Sequence, residues 1–212
     1  PVYFYYTLTK FFQNHRRYVA SQDPVQYRDK WTVDAAGVPS TGSFSGCWPL
    51  ESYTESIAGK EEKIYYYPCG LGALSFFNDT FLLQDSNSNV VPWTKEGISS
   101  RAGLKGRYAS QSEAWLKQNS GRYNCWHNVS DEDFMVWMRP AASPDFWKLH
   151  RIIPNGLKAG TYRLSINVNF PVASFRGTKG FVLTNANTFG TDRTVRIVFV
   201  PWPAAILKIS VV

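Results

Sequence analysis

The chain has 212 residues, of which 44% are hydrophobic, 16% are aromatic and only 18% are charged, and its formal net charge is +7. This length and apolar content suffice to bury a sizeable core, which excludes an intrinsically disordered protein. The basic excess suits an acidic partner or an anionic membrane surface, but no run of five Lys or Arg residues occurs, and we expect no nucleic-acid binding.

The N-terminal part predicts a strand followed by a helix. Val2–Leu8 is rich in aromatic residues, which favour strands. Apolar residues in Lys10–Ala20 recur with helical spacing, so we expect a helix with Thr9 at its N-cap and His15 on its apolar face. An Asp-Pro pair at residues 23–24 ends this helix.

The second half shows more regular patterns. Asp133–Arg139 would place Phe134, Val136 and Met138 on one side and Met135, Trp137 and Arg139 on the other, so we expect a strand there. Apolar and polar residues alternate in Tyr162–Phe170, which predicts a second strand, and Phe181–Thr184 predicts another. Asp145–Ile153 is expected to be a short helix capped by its first residue. Ile197–Val212 is very apolar but interrupted by prolines, and it fits either two short strands or the beginning of a membrane helix.

Together these elements predict a mainly β chain. We expect an antiparallel β-sandwich with one or two short helices, folded as a single domain over residues 1–212. Residues 34–63 and 84–121 have little periodicity and are expected to form long irregular loops, which are usually functional.

A search for catalytic and metal-binding motifs finds none. Gly42–Gly46 resembles a nucleophile elbow but has Phe at the position of the serine. Cys125–His127 lacks paired ligands at zinc spacing. The acidic residues Asp131–Asp133 could hold Ca²⁺, but a solvated turn is the stronger interpretation. The sequence therefore predicts no catalytic residue, no metal and no cofactor.

Several polar residues are candidates for other roles. The three cysteines are Cys47, Cys69 and Cys125, and the sequons at Asn78 and Asn128 match the pattern for N-glycosylation. Basic residues can form a face for acidic loops of a partner or for lipid head groups, although a solvated surface explains them equally well. The basic candidates for partner contacts are Arg101, Lys105, Arg107, Arg139, Lys148 and Arg151.

Four segments carry a resemblance to a known family. They are YYTLTKFFQNHRRYVAS, YPCGLGALSFFNDTF, DFMVWMRPAASPDFWKLHRII and LKAGTYRLSINVNFPVASFRGTKGFVLTN, in this order along the chain. In these segments the chain resembles the exoplasmic domain of the cell division control protein 50 family, also called the ligand-effect modulator family. Members of this family are the non-catalytic β subunits of type-IV P-type ATPase lipid flippases.

The resemblance implies a lumenal or extracellular domain that lies between two membrane helices outside this sequence, in a protein of the ER, Golgi or plasma membrane. It implies a heterodimer with the ATPase, whose ER exit, stability and lipid transport depend on the subunit. It also implies a Cys47–Cys69 disulfide and a glycan on Asn78. The sequon at Asn128 lies in a polar turn that should be exposed, so we expect a glycan there as well. With Cys47 and Cys69 paired, Cys125 is expected to be a free thiol or to pair with a cysteine outside this sequence. The alternative is a secreted β-sandwich module that binds glycans or lipids through its aromatic residues.

Overall fold

The computed structural model describes residues 1–28, 46–101, 108–111, 116–117, 121–185, 196–200 and 206–211. Ten strands lie within these residues: β1 (Val2–Leu8), β2 (Ser52–Ile57), β3 (Lys60–Tyr67), β4 (Thr80–Gln84), β5 (Tyr123–Cys125), β6 (Phe146–Ile153), β7 (Gly160–Asn167), β8 (Lys179–Thr184), β9 (Arg196–Val200) and β10 (Ile206–Val211). Four short helices accompany them: α1 (Arg16–Ala20), α2 (Leu71–Leu74), α3 (Ile98–Arg101) and α4 (Glu132–Met138).

The chain folds into two compact units. Unit 1 contains Pro1–Phe12, Phe77–Ile98 and Ala141–Val212. Unit 2 contains Gln13–Phe76 and Ser99–Pro140. Each unit is therefore assembled from segments that are distant in sequence.

Unit 1 is a β-sandwich. One sheet has the strand order β6-β1-β8-β9 and the other has the order β10-β7-β4, with every neighbouring pair antiparallel. Both sheets contribute to one core, in which the Phe4 ring lies 5.7 Å from the Phe181 ring and 4.9 Å from the Phe81 ring, measured between centroids. The buried members of this core are Phe4, Leu83, Ile153, Tyr162, Leu164, Phe181, Leu183 and Ile209.

Unit 2 combines a small sheet with helices. The sheet has the order β2-β3-β5, and β5 runs parallel to β3. The fully buried Trp137 of α4 donates a hydrogen bond from Nε1 to the carbonyl of Gly72 in α2, at 2.8 Å. A Cβ at Gly72 would lie 3.2 Å from Met138 Cε, so glycine allows the two helices to approach closely.

The mainly β, antiparallel architecture is confirmed, and so are the strands predicted in Val2–Leu8 and Phe181–Thr184. The strand predicted in Tyr162–Phe170 is present as β7 but ends at Asn167. Ile197–Val212 contains β9 and β10, as the strand alternative predicts, while residues 201–205 and 212 lie outside the described part. The described residues contain four helices rather than one or two.

The strand predicted in Asp133–Arg139 is wrong, because Glu132–Met138 forms helix α4. The Asp131 carboxylate caps this helix by accepting from the Asp133 N–H at 2.9 Å. All residues from Phe134 to Met138 are buried. The side chains that a strand would point to opposite faces are therefore all in the interior. The apparent alternation therefore carried no information, and the capping aspartate was the decisive signal.

The helix predicted in Asp145–Ile153 is also wrong, because Phe146–Ile153 forms β6 and pairs with β1 along its length. A register shift between Phe4 and Tyr5 leaves His150 as an extra residue in β6. This bulge interrupts the period-two pattern, which explains why the sequence does not read as a strand. The Asp145 carboxylate caps no helix and accepts from the Lys10 N–H at 2.8 Å.

The first helix is shorter than predicted, because α1 covers only Arg16–Ala20. Lys10 adopts a left-handed conformation with φ 57°, which is incompatible with a helix starting after Thr9. His15 is exposed rather than on an apolar face, and its Nδ1 accepts from the Arg17 N–H at 3.2 Å as the N-cap.

The segment 34–63, predicted to be irregular, contains β2 and the beginning of β3. Ala58 and Gly59 connect them with φ values of 52° and 79°, as a type I′ hairpin turn requires. In the segment 84–121, helix α3 is present. Residues 34–45, 102–107, 112–115 and 118–120 lie outside the described part of the chain.

Candidate partner-contact surfaces

A disulfide joins Cys47 and Cys69 in a buried cluster of unit 2, as the resemblance implies. Both cysteines are fully buried together with Tyr67 and Tyr123. Gln26 holds this cluster in place, since its Oε1 accepts from the Cys69 N–H at 3.0 Å and its carbonyl accepts from the Tyr67 hydroxyl at 3.3 Å. Burial raises the pKa of Tyr67 to about 12, so its hydroxyl stays protonated as a donor.

Trp48 follows the buried Cys47 directly, yet 64% of its surface is exposed. The backbone beside it is fixed, because the Cys47 carbonyl accepts from Ser21 Oγ at 3.1 Å, and Ser21 Oγ accepts from the Leu71 N–H at 3.0 Å. Tryptophan is enriched among the residues that dominate protein interfaces. A large exposed ring on a hydrogen-bonded backbone is therefore the strongest candidate contact in unit 2, and it lies in the loop after Cys47, which the sequence also offers as a contact candidate.

The hairpin formed by β2 and β3 is a second exposed feature of unit 2. The half of the hairpin next to its turn is exposed on both strands, from Thr54 to Lys63. It carries Glu55 opposite Glu62, and β2 is an edge strand of its sheet. Such an edge offers backbone groups for pairing, and its charged side chains limit which partners can pair.

The six basic residues predicted to contact a partner differ in their exposure and in how much of each the structure describes. Arg139 is exposed at the end of α4 in unit 2. Arg101 is the last residue of α3, and only its backbone is described. Lys105 and Arg107 lie outside the described residues.

The two remaining basic candidates belong to β6 in unit 1. Lys148 is 7% exposed, and its Nζ lies 5.4 Å from the centroid of the Phe146 ring, so it is not an open surface charge. Arg151 is half-buried, and its Nη1 donates to the His150 carbonyl at 2.5 Å. Of the three candidates whose side chains the structure describes, Arg139 is therefore the most exposed.

His127, His150 and the acidic residues Asp131–Asp133 make contacts that stabilise the fold. The His127 ring packs against Phe76, and the His150 ring packs against Phe81, with centroid distances of 4.3 Å and 5.3 Å. Asp131 caps α4, and Glu132 Oε2 accepts from the Ser99 N–H at 2.7 Å. Among the described residues, no group of three or more His, Cys, Asp or Glu side chains is placed to hold a metal ion.

Both sequons present an exposed asparagine. Asn78 is exposed in unit 1. Asn128 is exposed in unit 2, where its Oδ1 accepts from the Ser130 N–H at 2.8 Å. Cys125 is a half-buried free thiol, and burial raises its pKa.

Comparison with known proteins identifies the family. The profile of the LEM3 (ligand-effect modulator 3) family, also named the CDC50 family, matches residues 1–209. The chain belongs to the LEM3/CDC50 family. It is 38% identical over 212 residues to the phospholipid-transporting ATPase accessory subunit LEM3 of Saccharomyces cerevisiae, with 89% of this chain and 47% of the relative covered.

Other members of the LEM3/CDC50 family are similar over comparable lengths. The phospholipid-transporting ATPase accessory subunit CDC50 of Chaetomium thermophilum is 32% identical, with 97% of this chain and 52% of the relative covered. Cell cycle control protein 50A of Bos taurus is 34% identical, with 89% of this chain and 56% of the relative covered. The chain thus spans about half the length of these curated relatives. Within the described residues, no helix has the length and apolar character needed to cross a membrane.

Proposed function

We propose that this chain is the exoplasmic domain of a non-catalytic accessory subunit of a type-IV P-type ATPase that transports phospholipids. The match of the LEM3/CDC50 family over residues 1–209 carries this proposal, together with relatives whose names describe accessory subunits of phospholipid-transporting ATPases. In this proposal the domain, residues 1–212, lies between two membrane helices in the lumen of the ER or Golgi or outside the cell. ATP hydrolysis and lipid transport belong to the partner.

The proposed role is to bind the ATPase and support its ER exit, stability and lipid translocation. The disulfide-centred cluster and the exposed sequons suit a domain that folds in an oxidising, glycosylating compartment. Trp48 and the β2–β3 hairpin offer exposed contacts in unit 2, and Arg139 adds a positive charge there. Arg101, Lys105 and Arg107 remain proposed contacts, as does Arg151 in unit 1.

The test is recovery of the ATPase with the full-length protein. The tagged protein is purified from its native membrane, and any large ATPase that accompanies it is identified by mass spectrometry. We expect Trp48→Ala to weaken this complex about tenfold or more, equivalent to roughly 1.4 kcal/mol, as for a central interface residue. The matched control is Phe12→Ala, which removes a ring of similar exposure, 57% against 64%.

Two outcomes would contradict the proposal. An ATPase that matures and hydrolyses ATP normally without this protein, with no alternative subunit present, would exclude the accessory role. A full-length protein that is secreted without membrane helices and binds glycans or lipids would favour the alternative function, a secreted β-sandwich binding module.

A further inference from the structure

The first and last strands of the chain begin and end at one edge of the sandwich in unit 1. Val2 at the beginning of β1 lies opposite Ile153 at the end of β6. Val211 at the end of β10 lies opposite Gly160 at the beginning of β7. Because residues 154–159 join Ile153 to Gly160, the two chain ends leave the sandwich beside the same loop. We call this side of unit 1 the chain-end edge.

A groove of about 220 Å³ opens at the chain-end edge. Gln84, the last residue of β4, pairs with Arg163 of β7, so the turn that follows β4 lies beside the beginning of β7. The residues that line the groove are Gln84, Asp85, Ser86, Ser88, Thr161, Tyr162 and Arg163.

The groove contains one negative and one positive side chain. The Asp85 carboxylate accepts from the N–H groups of Asn87 and Asn89 at 2.8 and 2.9 Å and from Asn89 Nδ2 at 2.9 Å. These hydrogen bonds, chiefly those from Asn89, lower the pKa of Asp85, so it is ionised at neutral pH. Arg163 is exposed, and its guanidinium has the planar geometry that pairs with phosphate oxygens.

We propose that this groove receives the headgroup of a zwitterionic membrane phospholipid, with Arg163 pairing with its phosphate and Asp85 facing its ammonium group. A groove with both charges fits a ligand with both charges better than it fits a simple anion. The hydroxyl groups of Ser86, Ser88 and Thr161 add donors for the phosphate oxygens. The inference rests on the proposed function, because flanking membrane helices would hold the chain-end edge against the bilayer.

The rim of the groove is suited to a lipid surface. Val90, which pairs with Gln84 just after the turn, is 59% exposed. Lys158 is exposed in the loop 154–159, and the neighbouring Leu157 is half-buried. An apolar side chain beside a lysine is a typical combination at the membrane–water interface.

The opposite end of unit 1 supplies matched controls. β7 runs away from the chain-end edge for its full length to Asn167, roughly 23 Å at the rise of a strand. Beyond it, the Asn169 amide donates to the Asn78 carbonyl at 3.1 Å, so a glycan on Asn78 would lie far from the proposed bilayer. Ser174 and Arg176 are exposed in the same region, where Thr178 binds Thr9 after the end of β1.

The experiment uses the full-length protein in phosphatidylcholine nanodiscs, with Cys125→Ser as background. A fluorescent label is attached through Val90→Cys at the rim of the groove or through Ser174→Cys at the opposite end. A lipid with a quencher in its headgroup should quench the label at position 90 and leave the label at position 174 unquenched. Glycerophosphocholine, which carries both charges, should relieve the quenching by competition, and inorganic phosphate should not.

The charge variants then test the groove itself. We expect Arg163→Glu to weaken competition by glycerophosphocholine about tenfold, as loss of a charge-assisted hydrogen bond predicts, while Arg176→Glu has no effect. Equal quenching at both positions, or no effect of Arg163→Glu, would overturn the inference and leave the proposed function intact. Competition by inorganic phosphate alone would reduce the groove to an anion site and also overturn it. A full-length chain that stays out of the nanodisc would contradict the proposed function as well.

Discussion

Replacement of Asp79 should be among the most destabilising changes in unit 1. Its Oδ1 accepts from the N–H groups of Asn169 and Phe170, both at 2.6 Å, and its Oδ2 lies 2.5 Å from Lys179 Nζ. The Asp79 side chain is 2% exposed and that of Lys179 is 11% exposed. Asp79→Ala would leave two backbone donors and one buried ammonium group without this carboxylate.

The expected loss of stability follows from the charged and polar groups that stay buried without the Asp79 carboxylate. Removal of one partner from a buried ion pair costs about 3–5 kcal/mol, because the other charge loses its compensation. Lys179 Nζ keeps its hydrogen bond to the Phe170 carbonyl at 2.8 Å, which favours the lower part of this range. Since a whole domain is stable by only about 5–15 kcal/mol, we expect a marked loss of folded protein. Asp79→Asn keeps an oxygen for the backbone donors and should cost less.

The assay is chemical denaturation of the purified protein, followed by intrinsic fluorescence. Both substitutions preserve the Asn-x-Thr pattern from Asn78 to Thr80, so a glycan on Asn78 does not differ between variants. Glu61→Ala in the exposed hairpin is the control and should change stability by less than about 0.5 kcal/mol. If Asp79→Ala is no more destabilising than Glu61→Ala, the buried ion pair does not have the role assigned to it.

Three further predictions concern the cysteines and sequons. Replacing Cys47 and Cys69 by serine should cost about 3 kcal/mol, since the bond closes a long loop in the unfolded chain, and non-reducing peptide mapping should find these two cysteines linked to each other and not to Cys125. Cys125 should react slowly with alkylating reagents at neutral pH and faster as the pH rises toward its raised pKa, and rapid labelling at pH 7 would contradict its burial. Asn78→Gln and Asn128→Gln should each abolish one glycosidase-sensitive mass shift, and an unchanged mass would show that the site is not used.

The sequence predicted those elements in which local pattern and tertiary position agree. Val2–Leu8 is aromatic along its length and lies in the middle of a sheet, between β6 and β8. Tyr162 and Leu164 alternate with polar residues and face the core of the sandwich. The four motifs, in their order along the chain, also indicated the family.

The contacts of the candidate sites could not be predicted in this way. The exposure of Trp48 depends on the packing of the Cys47–Cys69 cluster, and the groove at Arg163 exists because β4 and β7 are paired. Lys148 resembled a surface residue in the sequence but is buried beside Phe146. Burial is a property of the assembled elements, and a polar residue type does not determine it.

Composition, motif order and the strongest alternating segments determined by themselves that the chain is mainly β and belongs to its family. Only the tertiary structure decided that Glu132–Met138 is a helix and Phe146–Ile153 a strand. In the first segment all residues from Phe134 to Met138 are buried, and the second contains a bulge at His150. In both, long-range packing determined which side chains are buried, and local periodicity therefore could not distinguish a helix from a strand.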